Sequence, residues 1–323
     1  MTCHVTPCHV NLQLLSLIFP AYWYRALINP LLKTPIPASF SDTRPIAILT
    51  ELSKILERDA FDQLLDFLEE NSLLDSWQPC YRPGNSTQTV LIAVTHFMRK
   101  ADKEYKLTIF ILFDFSKALD SISHRRLLQK LRSYYLSDTA TSWIYSYLCE
   151  KYQAVIREDG TIKSWHRSVS GVPQGSILGH LLFPLYINDI SRILTRVLYM
   201  LYADDTQIYQ SFELKQIDSG ITHMQLNAQA MADWATQNGL KLNIKKSKVM
   251  IFGSLQYLTT LSKCPEPLSQ IQINSVFLPY VAIVKNLGIL MTPSLTWQPQ
   301  VTAITNKVYS TLCSLKFHKI SLS

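Results

Sequence analysis

Apolar residues along this chain follow two rhythms, one helical and one of short buried strands. Residues 50–70 carry Leu52, Ile55, Leu56, Leu64, Leu65 and Leu68 at helical spacing, with Glu and Lys elsewhere. A second helix is predicted from about Ser86 to Lys100, capped by Asn85 or Ser86. LTIFILF (107–113) is a near-continuous β-branched and aromatic run, and so predicts a buried strand ending at Asp114. Helices are expected near 124–135 and 138–149. A hairpin then pairs YQAVIR with IKSWHRSV across a turn at Glu158, Asp159 and Gly160. A helix after Gln174 leads to a second hairpin, VLYMLYADDTQIYQSF, turning at Asp204 and Asp205. A helix over 221–238, a strand over 248–252 and last strands near 269–277 and 281–290 complete the pattern. Residues 29–45, rich in Pro, Ser and Thr, read as an extended loop. The layout is α+β, an antiparallel sheet with helices on one side.

Composition narrows the class. The chain has 323 residues, enough for a large core, with 47% hydrophobic and only 17% charged residues. That excludes disorder. Lys plus Arg is 31 against 24 Asp plus Glu, giving a net charge of +7 and a pI near 9.0. A basic excess suits a polyanion, because neutralised phosphates release counterions. Six cysteines, at 3, 8, 80, 149, 264 and 313, make no disulfide framework. Cys3, His4, Cys8 and His9 lack the second distant ligand pair of a structural zinc site, so residues 1–19 read as an unstructured leader. The apolar stretch 12–19 is too short to span a bilayer, and no Lys or Arg precedes it as in a signal peptide. An intracellular protein without membrane partners is expected.

Candidate chemistry gathers where strands end in acid: IFILFD at Asp114 and LYMLYADD at Asp204 and Asp205. Such carboxylates are poorly placed for packing and well placed to share hard divalent cations, which take oxygen ligands. Without cations, three clustered carboxylates repel one another. Adjacent aspartates also suit a plain tight turn, and Asp120 reads as another loop acid. GVPQGSILG (171–179) sets Gly171, Pro173, Gly175 and Gly179 around Gln174; glycines permit close backbone approach and Gln can hydrogen-bond a base or sugar. LNIKKSK (242–248) brings Lys245, Lys246 and Lys248 near the acids, or else forms a solvated basic face.

Taken in order, these segments resemble the reverse transcriptases of non-LTR (LINE-type) retrotransposons. FDFSKALD (113–120), GVPQGSILGHLLF (171–183), YADDTQIY (202–209), GLKLNIKKSKVMIFG (239–253) and VKNLGIL (284–290) carry the likeness. Upstream, SDTRPIAILTELSKILER (41–58) and QPCYRPGNSTQ (78–88) extend it, so that it covers about residues 23–297. The resemblance implies a right-hand polymerase fold: helical fingers over 20–108, a palm over 109–291 with a helical insertion at 121–150, and a partial thumb over 292–323. It implies RNA-directed DNA synthesis with Mg2+ (two ions, Mn2+ as a substitute), an RNA template, a DNA primer and dNTPs, in an intracellular ribonucleoprotein of nucleus or cytoplasm. Asp114, Asp204 and Asp205 would be metal ligands, with the backbone oxygen of Phe115. Gln174 and Gly175 would lie at the nucleotide or template base. Arg44, Lys33 and Arg82 would serve substrate binding, the first two at the triphosphate, and Lys246 would donate a proton to pyrophosphate.

Some positions depart from the pattern. Leu119 stands where relatives carry the aromatic gate against a ribose 2′-hydroxyl, which implies weakened exclusion of ribonucleotides. His180 replaces a Pro, Cys80 and Tyr81 replace Gly-Phe, and Thr292 lies where an acid is common. Leu119 and His180, with the unusual start and the short thumb, favour a second reading, a decayed relic or nucleic-acid-binding module. A maturase or viral polymerase fits the contexts of the acidic motifs less well, and an unrelated basic binding protein would need every match to be chance.

Overall fold

The computed structural model describes residues 18–33, 36, 43–157, 160–263 and 268–321. The Cys/His cluster of the leader, and Glu158 and Asp159 of the first turn, lie outside these. In chain order the elements are β1 (Arg25–Leu32), β2 (Thr43–Ile48), α1 (Glu51–Glu70), α2 (Thr87–Lys103) and β3 (Lys106–Phe113). Next come α3 (His124–Ser133), α4 (Asp138–Leu148), β4 (Tyr152–Val155), β5 (His166–Arg167), α5 (Gly179–Ile187), β6 (Leu198–Tyr202) and β7 (Asp205–Glu213). After α6 (Ile217–Gln237), β8 (Lys248–Phe252) and α7 (Leu255–Ser262) stand the short strands β9 (Gln272–Ile273), β10 (Val276–Phe277), β11 (Val284–Asn286) and β12 (Ile289–Met291). The last element is α8 (Gln298–Ser321).

The chain divides into two compact units. The first holds the described residues up to Tyr81, Phe115–Ile193 and Asp233–Lys241. Its sheet runs β2-β1-β4-β5, antiparallel except where β1 meets β4. Both ends of the loop expected over 29–45 are instead strand, residues 29–32 in β1 and 43–45 in β2, registered from Leu27 opposite Ile48 to Leu32 opposite Thr43. Pro30 faces Pro45 in that register, beyond Arg25–Ile28 where β4 bonds the other edge of β1. Prolines are tolerated there because no second ladder needs their missing N–H. Phe19, at the end of the stretch read as leader, is fully buried against Trp23, Tyr24, Trp143 and Tyr147.

Helix α1 lies where its periodicity predicts, and the expected face is buried in its second half, at Leu64, Leu65 and Leu68, but not in its first. Leu52 and Ile55 are exposed, whereas Ser53, Glu57, Ala60, Leu64 and Leu68 form the buried stripe. Spacings of three and four residues place Glu57 on that stripe, and a carboxylate stays there only with partners. Its Oε2 accepts the backbone N–H groups of Ile177 (2.8 Å) and Leu178 (3.3 Å). Burial raises the Glu57 carboxyl above its usual range, against the lowering effect of those N–H groups and of Lys151. Burial in turn lowers the Lys151 ammonium to about 8, opposed by Glu57. Lys151 is 5% exposed and lies over the rings of Phe19 (4.2 Å) and Tyr147 (4.5 Å).

The second unit holds Arg82–Asp114, Leu194–Ala232 and Leu242–Ser323. Its sheet runs β6-β7-β3-β8 and is antiparallel throughout. Central β3 is buried at nearly every position, as its unbroken apolar run requires. Helix α2 packs Val90, Val94 and Met98 into a core with Phe110, Met200, Tyr209, Met250 and Phe252. Of the two candidate caps, Ser86 performs the role, its side chain accepting from the N–H of Thr89 while Thr89 answers the N–H of Ser86. The strands read near 269–277 and 281–290 are each a short hairpin instead. Their turns fall at Asn274–Ser275 and Leu287–Gly288, all four residues at positive φ, where Asn and Gly are the tolerant types.

Candidate active site

The register of the second unit's sheet builds the acidic end. Phe113 of β3 pairs with Thr206 of β7, so one further step sets Asp114 opposite Asp205. Tyr202 of β6 pairs with Asp205 across a turn of Ala203 and Asp204, with Ala203 at φ 53°. Hydrogen bonding therefore brings Asp114, Asp204 and Asp205 to one end of one sheet.

The loop before β8 meets the same end. Asn243 donates its N–H to the Asp114 carbonyl (2.7 Å), and the Asp114 N–H donates to Ser247 Oγ (3.2 Å). Ser247 and Lys246 both return their N–H groups to the Asn243 carbonyl, folding LNIKKSK into a turn against the acid. Lys246 is an exposed residue of that turn. Asn243 and Ser247 escaped the sequence reading; the only local signal was that Asn and Ser favour turns. A further tie is buried, where Asn286 Nδ2 donates to Gln207 Oε1 at 2.8 Å, bonding β11 to β7 two residues from Asp205.

Electrostatics register the crowding. Burial first, then the charges of Asp204 and Asp114, raise the Asp205 carboxyl from 3.8 to about 6. Among the described residues no three His, Cys, Asp or Glu side chains close into a ready ligand set. The acids thus sense one another without forming a cage. An all-oxygen donor set with one half-buried, repelled carboxylate has the chemistry that a hard divalent cation relieves.

The first unit carries the other candidates. Leu119 and Asp120 lie in a 3-10 turn, Leu119–Ser121, and the Gly171–Gln174 loop docks onto it. Val172 donates to the Leu119 carbonyl (2.9 Å) and Gly171 to that of Ile122 (2.8 Å). Gly171, at φ +82°, has no room for a side chain, since a Cβ would meet the Asp120 backbone at 2.8 Å. Gly175, at φ +115°, is likewise confined by the Ala47 carbonyl, 2.7 Å from where its Cβ would be. Ala47 donates its N–H to the Gln174 carbonyl (2.6 Å), tying β2 to the loop. Arg44 is an exposed residue of β2 and Lys33 an exposed residue just past β1. Phe115 is buried, and Arg82 is a half-buried residue of the second unit. Two departures from the family pattern meet, as Tyr81 packs on His180 with ring centroids 4.7 Å apart.

Known proteins resemble the chain along nearly all its length. The family model described as reverse transcriptase (RNA-dependent DNA polymerase) matches residues 33–291. A probable RNA-directed DNA polymerase from transposon BS of Drosophila melanogaster is 29% identical over 93% of this chain and 33% of its own length. The RNA-directed DNA polymerase from mobile element jockey of the same species is 27% identical over 91% of this chain and 32% of its own. The chain therefore spans about a third of the length of these relatives. Among solved structures, apo telomerase from Candida tropicalis, truncated from its C-terminal domain, superposes with a TM-score of 0.50. It is 13% identical and covers 87% of this chain and 55% of that one, a likeness of fold. The motifs, the mixed α+β architecture and the match over 33–291 agree, and the chain belongs to the reverse transcriptase family, with the LINE-type resemblance upheld.

Proposed function

We propose that this chain is the RNA-directed DNA polymerase core of a non-LTR retrotransposon, extending a primer 3′-hydroxyl with dNTPs on an RNA template. The observation that carries the proposal is the sheet register, which brings Asp114, Asp204 and Asp205 to one end of one sheet. Two divalent ions held there, Mg2+ with Mn2+ as a substitute, would activate the primer hydroxyl and stabilise the leaving oxygen. Asp114, Asp204, Asp205 and the Phe115 carbonyl are the proposed ligands. Phosphoryl transfer asks the protein chiefly for positioning and charge neutralisation. Lys33 and Arg44 would hold the triphosphate, with Arg82 aiding substrate binding, and Lys246 would protonate the pyrophosphate. Gln174 and Gly175 would fix the base or sugar. The +7 charge suits the phosphates of a template–primer. No helix among the described residues is long and apolar enough to cross a membrane. We place the reaction in an intracellular ribonucleoprotein.

The test is primer extension on an RNA template with Mg2+ and dNTPs. Wild type is expected to extend, and Asp204→Ala of the same fold, judged by circular dichroism, to give no product. A well-folded wild type that makes no product with either metal ion contradicts the proposal and returns the chain to the relic reading.

Leu119 adds a second expectation. An aliphatic side chain at the sugar gate excludes a 2′-hydroxyl less well than an aromatic one. Leu119→Phe should sharpen discrimination against ribonucleotides by roughly ten- to hundredfold, the scale of a few contacts changed in a pocket. Single-nucleotide kcat/KM for dNTP against rNTP reads it, and equal ratios in the two proteins would remove Leu119 from the gate.

A further inference from the structure

We infer that Asp120 is a positioning residue that fixes which end of the Gln174 amide is offered to substrate; this rests on the polymerase reading above. Gln174 Nε2 donates to Asp120 Oδ1 at 2.8 Å. The amide orientation follows from chemistry, because an ionised carboxylate only accepts and so must face the nitrogen. One N–H is thereby committed, and Gln174 is left to present its carbonyl oxygen and the remaining N–H.

The backbone brings the two residues side by side. Asp120 lies between Leu119 and Ile122, whose carbonyls hold the Val172 and Gly171 N–H groups, and its own carbonyl accepts from Ser170 Oγ at 3.1 Å. His124 Nε2 lies 2.7 Å from the Gly171 carbonyl. Gly171 permits this approach and any Cβ would break it. Both side chains are half-buried in the wall of a cavity of about 370 Å³. A carboxylate facing an amide in partial burial is a stronger partner than water or a neutral acceptor. Asp120 is thus no free loop acid. It holds Gln174 in one of two nearly isosteric poses, and a polymerase needs only one of them against a nucleotide or template sugar.

The test is single-nucleotide extension with wild type, Asp120→Asn, Gln174→Ala and the double variant. Asparagine keeps the size of Asp120 but both donates and accepts, so the Gln174 amide is released to turn over. Asp120→Asn is expected to raise KM for dNTP about tenfold, the scale of one charge-assisted hydrogen bond, with a smaller effect on kcat. In the Gln174→Ala background the same change should alter KM less than twofold, because Asp120 acts only through the amide. An equal loss in both backgrounds, or no loss in the first, overturns the inference. A wild type that cannot extend overturns the polymerase reading and the role with it, whereas an active wild type with an unaffected Asp120→Asn removes the role alone. Should Asp120→Asn not fold, the wild-type side-chain amide resonance decides. Assigned by its loss in Gln174→Ala, it should show one strongly downfield proton, and a solvent-like pair would overturn the inference.

Discussion

Replacing Asp205 with Asn should lower primer extension by roughly 10²–10³-fold or more, as loss of one preorganised electrostatic contact does, while making the metal-free protein more stable. The two effects have one cause. The Asp205 carboxyl is raised to about 6 by burial and by the charges of Asp204 and Asp114. A carboxyl with a folded pKa above its unfolded value binds its proton more tightly in the native state. This group's contribution to native stability is therefore fully present below about pH 4 and is lost as pH rises through about 6. The penalty reaches at most about 3 kcal/mol above that window. Asparagine has no such titration. In chelator, wild type should lose stability relative to Asp205→Asn between these pH values, and added divalent ion should restore it to wild type alone. Urea unfolding at pH 4 and pH 7.5 measures the difference. A variant as unstable as wild type at both would mean that burial and its acidic neighbours do not raise the Asp205 carboxyl.

Glu57→Ala should cost about 2–4 kcal/mol of stability, the scale for stripping backbone donors of a charged acceptor. Its oxygen holds the N–H groups of Ile177 and Leu178, and its charge opposes that of buried Lys151. Alanine leaves two donors unmet, that of Leu178 buried and that of Ile177 half-buried, and removes the carboxylate charge that offsets the Lys151 ammonium. In a fold whose net stability is about 5–15 kcal/mol this is a large share. Glu57→Gln, which keeps one acceptor, should cost less, and Glu57→Ala with Lys151→Met should regain part of the loss. Denaturant midpoints report all three. An alanine variant within about 0.5 kcal/mol of wild type, the range of ordinary surface changes, would show that Glu57 bears no such duty.

The parts of this fold that were legible in the sequence are those written in local pattern. The unbroken run of β3 and the acid-tipped β6–β7 hairpin announce a buried central strand and its neighbour, and register then carries Asp114 to Asp205. Helices α2, α3 and α4 begin at serines that cap them in place. What was missed depends on distant partners or on turn chemistry. The β1–β2 hairpin hides behind Pro30 and Pro45, harmless only because of where β4 ends. Glu57 reads as one more polar residue of α1, since its partners lie 120 and 121 residues away. Asp120 looks like a loop acid until Gln174, 54 residues on, is folded against it. Helix α8 has Val301, Ile304, Val308, Leu312 and Leu315 at helical spacing, yet no charged cap flags its start, and all five are exposed.

The claim on which the polymerase reading turns is that segments about ninety residues apart, at 114 and 204–205, serve one cation. Iron-directed cleavage addresses it without relying on turnover. Fe2+ exchanged into the protein and treated with ascorbate and peroxide releases hydroxyl radicals that cut the backbone beside the bound ion. Cuts at both the β3 end near Asp114 and the β6–β7 turn at residues 203–206, suppressed by excess Mg2+ and absent from Asp204→Ala, are the result expected. Cuts confined to one segment, or scattered alike in wild type and variant, would contradict it.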